Sequence, residues 1–110
     1  MSFRYIDIHS HLNFGAFDSD REAAAKRALD AGVAFITVGT QKDTSKKAVE
    51  LAQKYENGAF AIVGLHPVHT SKSFHDEKEL GEGGKEFTSR GEAFEIASFT
   101  ELAKHPKAVG

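Results

Sequence analysis

Strand and helix patterns alternate along this chain, and that alternation constrains its fold more than any other feature. The runs 33–38 and 59–65 are almost continuously apolar, which is typical of strands covered on both faces in a parallel sheet. A first strand is predicted over 4–9, and 107–110 resembles the opening of a fourth. The order β-α-β-α-β-loop-α-β indicates right-handed parallel crossovers. We therefore predict an α/β fold built from parallel βα units.

Helices are predicted over about residues 20–31, 44–55 and 92–104. Ser19 and Glu22 form a capping-box pattern at the start of the first helix. Asp43 or Thr44 could cap the second. The stretch 66–91 is polar and glycine-bearing, so we predict a long loop there, of the kind that is usually functional or disordered in a compact domain.

Composition indicates a single globular domain over residues 1–110. The net charge of -2 gives no reason to expect a surface that coats nucleic acid, although a metal can still hold phosphates locally. The absence of cysteine excludes disulfides and thiolate chemistry. No segment has the length of a signal peptide or a transmembrane helix, so we expect a cytoplasmic protein with no membrane partner.

The first predicted strand carries polar residues on one face. Asp7, His9 and His11 share that face, because strand side chains alternate with period 2. Ile6 and Ile8 share the other face, which suits burial against helices. Polar groups are costly to bury unpaired, and a divalent metal would pair them. We predict His9 and His11 as metal ligands and Asp7 as a buried group that supports them; an ordinary exposed or hydrogen-bonded histidine pair is the alternative.

A second pair of histidines, His66 and His69, follows the third predicted strand. In parallel α/β folds the carboxyl ends of the strands meet at one edge, where active sites lie. The pair should therefore lie near the residues that end the first strand. We predict His66 and His69 as substrate-binding residues, with metal ligation and backbone capping left open as alternatives.

Together these motifs resemble the TatD family of metal-dependent hydrolases. The matching stretches are Ile6-Asp7-Ile8-His9-Ser10-His11-Leu12, Ala28-Leu29-Asp30-Ala31-Gly32-Val33 and Gly64-Leu65-His66-Pro67. They follow the family's order and approximate spacing. The resemblance implies that these βα units form the first part of a (β/α)₈ TIM barrel of the amidohydrolase type. It also implies a deoxyribonuclease that cleaves phosphodiester bonds with metal-activated water.

The resemblance further implies roles for individual residues. His9 and His11 match the family's first metal pair, and His66 matches a histidine of its substrate-facing loop. The other ligands are a glutamate after the fourth strand, two histidines and an aspartate, all expected beyond Gly110 together with the catalytic residues. The complete enzyme should use two divalent ions, Mg, Mn or Zn, and act on DNA or another phosphoester.

A whole barrel of this type takes about 250 residues, so the chain resembles the amino-terminal part of a longer protein. Two imidazoles are fewer than the three protein ligands of a usual catalytic zinc site, and the first strand would form an open edge. We expect the isolated chain to be inactive, and to need the missing carboxy-terminal barrel half or self-association.

Two other readings remain open. One is a different His-x-His barrel hydrolase, either a phosphoesterase or an amidohydrolase. The phosphoesterase group usually has Ser-Asp-Gly after its histidine pair, whereas Leu12-Asn13-Phe14-Gly15 follows here. The other is a non-catalytic truncated fragment that binds metal weakly.

Overall fold

A computed structural model gives the fold and describes residues 2–70, 72–75, 87–90 and 92–110. In chain order its elements are β1 (Tyr5–Ser10), α1 (Arg21–Asp30), β2 (Val33–Val38), α2 (Lys42–Gln53), β3 (Ala59–Ile62), β4 (Lys72–His75), β5 (Phe87–Arg90) and α3 (Ile96–Ala103). Short 3₁₀ helices lie at Gly15–Phe17 and Pro67–His69. No helix in these ranges is long and apolar enough to cross a bilayer.

The strands β1, β2 and β3 form one parallel sheet in that order. After α3 the chain returns beside β3, where Ala61 N–H donates to Lys107 O (2.8 Å) and Val109 N–H donates to Ala61 O (2.9 Å). This parallel bridge is the predicted start of a fourth strand. The prediction of an α/β fold made of parallel βα units is therefore confirmed.

The core lies between the sheet and the inner faces of the helices. Phe35 of β2 is only 2% exposed and belongs to the same buried cluster as Ala48, Leu51 and Ala52 of α2. Small alanine side chains let a helix lie close to the sheet, and the large Phe35 side chain fills the space between them. This packing fixes the end of β2 and the start of α2, which both border the candidate site.

The strand β1 differs from its prediction on the face that carries isoleucine. Ile6 is 51% exposed and Ile8 is 67% exposed, so the expected burial of this face against helices is wrong. Among the residues that the structure describes, β1 pairs with β2 alone and is an edge strand. No helix in that part of the chain covers both isoleucines. The predicted open edge is present.

The helix starts also differ from the sequence patterns. The N-cap residue of α1 is Asp20 rather than Ser19, and its side chain makes no capping hydrogen bond. The helix α2 begins at Lys42, so Thr44 lies in its first turn, where its hydroxyl accepts two N–H groups from just before the helix. The helix α3 begins at Ile96, not near residue 92.

The predicted long loop contains a β-hairpin. The strands β4 and β5 pair antiparallel, with Lys72 opposite Arg90 and His75 opposite Phe87. The sequence did not predict these two strands, because their composition is polar and shows no clear alternation of apolar and polar residues. The rest of the predicted loop between them, at 76–86, lies outside the described residues, as do residues 71 and 91.

Candidate metal centre

The predicted site residues lie at the carboxyl edge of the sheet. His11 directly follows β1, and His66 follows β3 after a short extended segment. His66 N–H donates to Thr40 O (2.8 Å), which ties the segment after β3 to the segment after β2. The ends of β2 and β3 are thus linked through their backbones, and the His11 side chain joins the end of β1 to Val38 at the end of β2.

A β-bulge interrupts β1 just before its end. Asp7 lies opposite Phe35 and Ser10 lies opposite Thr37, so two residues of β1 face one residue of β2. A bulge changes the direction of the side chains around it. Strict alternation therefore does not hold along this strand. The His9 N–H donates to Asp7 Oδ1 (3.0 Å), so a side chain satisfies a backbone group within the bulge.

Asp7 was predicted to be a buried group that supports the ligands, and the prediction that it is buried is wrong. Asp7 is exposed, because β1 lies at the open edge of the sheet. Its hydrogen bond goes to the backbone of His9. Its role as a group that supports the two ligands stays a prediction.

His9 and His11 come together despite the bulge. Their ring centroids are 5.0 Å apart, and the ring planes are nearly perpendicular at 85°. Two imidazoles that share one tetrahedral ion through bonds of about 2.1 Å would place their centroids about 5 Å apart. This separation is compatible with a shared divalent cation, and it is also that of an edge-to-face contact between the two rings. Within the described ranges no group of three His, Cys, Asp or Glu side chains could hold a metal, so His9 and His11 have no third candidate ligand grouped with them there.

The environment of His11 suits metal binding. Its Nδ1 lies 3.1 Å from Val38 O, and since a carbonyl only accepts, Nδ1 carries the proton and Nε2 keeps its lone pair. Its ring also packs on Phe14, with centroids 4.3 Å apart. Burial lowers the pKa of His11 below its ordinary 6.5, the Val38 hydrogen bond opposes this, and charges on His9 and His66 lower it further. Neutral imidazole is the form that ligates metals.

His66 has the opposite hydrogen-bond arrangement. Its Nδ1 accepts the N–H of Val68 at 3.1 Å, so Nδ1 is unprotonated and the neutral ring carries its proton on Nε2. The side chain is exposed. An exposed N–H suits an anionic oxygen better than a metal ion, which needs a lone pair.

His69 lies in a different environment from His66. It is only 4% exposed, and its carbonyl accepts the N–H of Glu92 at 2.7 Å. The two rings are 6.5 Å apart between centroids. The burial of His69 favours the structural alternative, in which this residue holds the 3₁₀ turn against the segment before α3.

Sequence reasoning missed Asn13, which is 1% exposed. Its Nδ2 donates to Val38 O (3.1 Å) and Thr44 O (2.9 Å), and its Oδ1 accepts from Thr37 Oγ1 (2.6 Å). The available signal was a polar residue two positions after the histidine pair. Such a residue is also typical of an exposed turn, so only its burial separates the two interpretations.

A family model described as TatD related DNase matches residues 6–110. The chain belongs to the TatD-related DNase family. The match contains His9, His11, Asn13 and His66, so every side chain of the candidate centre lies in the part of the chain that carries the family's pattern. The resemblance drawn from the sequence motifs is confirmed.

Several bacterial proteins are similar to this chain in sequence. An uncharacterized metal-dependent hydrolase of Escherichia coli, YjjV, is 40% identical over 68 residues, covering 61% of this chain and 26% of its own length. A second uncharacterized metal-dependent hydrolase, from Mycoplasma genitalium, is 38% identical over 80 residues, covering 71% of this chain and 30% of its own length. The 3'-5' ssDNA/RNA exonuclease TatD of Erwinia amylovora is 34% identical over 68 residues, covering 61% of this chain and 26% of its own length. The matched part thus spans between a quarter and a third of these relatives.

Proposed function

We propose that this chain contributes to a metal-dependent hydrolase that cleaves phosphodiester bonds in nucleic acid, as a DNA exonuclease or deoxyribonuclease. The observation that carries the proposal is the pairing of two histidines with opposite Nδ1 roles at one sheet edge. His11 offers a lone pair and His66 offers an N–H. Hydrolysis of an anionic ester needs both a cation site and a donor to phosphate oxygen. The names of the relatives support this reading.

His9 and His11 would hold one of two divalent ions, Mg, Mn or Zn. Their ring separation of 5.0 Å matches a shared ligand pair. The Nδ1–H bond from His11 to Val38 O holds the ring and its tautomer, as hydrogen-bond partners behind metal ligands do. A bound divalent cation supplies Lewis-acid activation for attack of water on the phosphate ester.

His66 would donate its Nε2–H to a phosphate oxygen of the substrate, on DNA or another phosphoester. Its Nδ1 is held by Val68 N–H, so the ring keeps the tautomer that donates from the exposed side chain. His69 would support the same turn from the interior, close enough to maintain the position of His66. A direct substrate contact by His69 stays a prediction.

We further propose that residues 1–110 form one domain that is the amino-terminal part of a (β/α)₈ barrel. The sheet is open at β1, and a further parallel strand begins beside β3. A closed barrel requires such additional strands between the two open edges. The relatives are three to four times longer than their matched parts. The remaining metal ligands and the catalytic groups would then follow Gly110.

The metal assignment is tested on the purified chain by replacing both ligands, as His9→Ala with His11→Ala. Zinc titration should show that the double variant loses the zinc binding of the parent chain, while circular dichroism shows that it stays folded. The matched control is His105→Ala, because His105 lies after α3 and accepts a backbone N–H through its own Nδ1 (3.0 Å). Undiminished metal in the double variant would overturn the proposal.

A further inference from the structure

We propose that Asn13 is a positioning residue for this metal centre and acts through His11; the inference rests on the proposed function. Asn13 follows His11 by two residues and is nearly completely buried. We do not assign it as a metal ligand, because it is 1% exposed and its side-chain amide is bonded to Val38, Thr44 and Thr37. Its role would be to hold the ligand's ring and its tautomer.

The first link in this argument is a shared acceptor, the carbonyl of Val38. It accepts His11 Nδ1–H and Asn13 Nδ2–H, each at 3.1 Å. A carbonyl oxygen has two lone pairs, so these two donors occupy its capacity. The carbonyl that selects the His11 tautomer is therefore itself held by Asn13.

The second link is the anchoring of Asn13. Besides Val38, its Nδ2 donates to Thr44 O (2.9 Å) in the first turn of α2. Thr37 Oγ1 donates to Asn13 Oδ1 (2.6 Å) and accepts the Asn13 backbone N–H (3.2 Å). The loop after β1 is thus joined to the end of β2 and to α2. Loss of these bonds would free the segment that carries His11 from its acceptor.

A purely structural role for Asn13 would stabilise the loop without selecting a His11 tautomer. The two roles differ in the metal-free protein, where the position of the imidazole proton can be measured directly. Asn13→Ala removes the side-chain bonds, and Asn13→Leu removes them while filling a similar volume. Agreement between the two variants therefore separates lost hydrogen bonds from lost packing.

The matched control is Ser45→Ala. Ser45 is fully buried, and its hydroxyl joins Gly64 N (3.1 Å) and Gly64 O (3.2 Å) near the same sheet edge. It therefore resembles Asn13 in burial and in joining two segments. None of its hydrogen bonds involves Val38 or His11.

The experiment combines two measurements on the purified protein. Imidazole ¹⁵N–¹H NMR without metal should show His11 protonated on Nδ1 in the parent and in Ser45→Ala, and a mixture of tautomers in both Asn13 variants. Zinc titration should show affinity about tenfold to hundredfold weaker in the Asn13 variants, the range for partners behind metal ligands, with a smaller change in Ser45→Ala.

An unchanged His11 tautomer in both Asn13 variants would overturn the positioning role, whatever the protein binds. Equal losses of zinc affinity in Asn13→Ala and Ser45→Ala would also overturn it, because a general loosening of the sheet edge would then explain both. Full zinc affinity in the variant that lacks His9 and His11 would instead overturn the proposed function. The two failures are therefore distinguishable.

Discussion

His11 and His66 share an edge of the sheet, but their Nδ1 atoms have opposite hydrogen-bond roles. His11 Nδ1 donates to Val38 O, and His66 Nδ1 accepts from Val68 N–H. A neutral imidazole has one proton, so the partner at Nδ1 decides what Nε2 can do. One residue type thereby presents a lone pair on Nε2 of His11 and an N–H on Nε2 of His66, a few residues from the strand ends of one sheet edge.

This difference predicts a selective effect of His66→Ala. In the complete barrel protein that we propose, cleavage of single-stranded DNA should fall about a hundredfold, the usual scale for losing one donor to a reacting oxygen. Bound metal, measured by elemental analysis, should stay nearly unchanged. His105→Ala again serves as the control, since His105 has the same local hydrogen bond away from the site. Loss of metal from His66→Ala would make His66 a ligand instead.

The lowered pKa of His11 also predicts a pH dependence of stability. Burial is the main cause, so the unfolded chain takes up a proton near 6.5 while the folded chain does not. The unfolded state then binds more protons, and the free energy of unfolding falls as pH drops from about 6.5 toward the folded pKa. Urea unfolding of metal-free protein at several pH values should show this slope, and His11→Gln should reduce it. An identical slope in the variant would contradict the prediction.

At the scale of elements, β1 is an edge strand whose isoleucine face is open. Ile6 and Ile8 are more than half exposed, whereas Phe35 of the neighbouring strand is 2% exposed. Ile6→Lys with Ile8→Glu should therefore change the free energy of unfolding by only about 0.5 kcal/mol per site. The same change should reduce self-association through the edge, as seen by sedimentation velocity. Phe35→Ala, the buried comparison, should cost about 3–5 kcal/mol; a similar cost for the isoleucine changes would show that this face is covered.

At the scale of the whole molecule, the number of candidate metal ligands limits what we expect residues 1–110 to do alone. His9 and His11 form a pair, and the described residues contain no third metal-binding side chain grouped with them. Catalytic zinc sites normally use three protein ligands and keep a position open. We therefore predict that purified residues 1–110 cleave neither single- nor double-stranded DNA when magnesium, manganese or zinc is added. Robust cleavage that disappears with His9→Ala and His11→Ala would show that the chain assembles a working site, for instance through self-association.

Local patterns in the sequence determined the α/β class, the order of the parallel strands and the meeting of His11 and His66 at one edge. These depend on periodicity and strand polarity, which neighbouring residues encode. Tertiary structure decided the rest, because the deciding partners are distant in the chain. Val38 O lies 27 residues from His11 and selects its tautomer. Asn13 has the sequence context of an exposed turn residue, but its hydrogen bonds to Thr37 and Thr44 hold it in the interior. The exposure of Ile6 and Ile8 likewise depends on which elements lie beside β1, and no pattern within β1 itself contains that information.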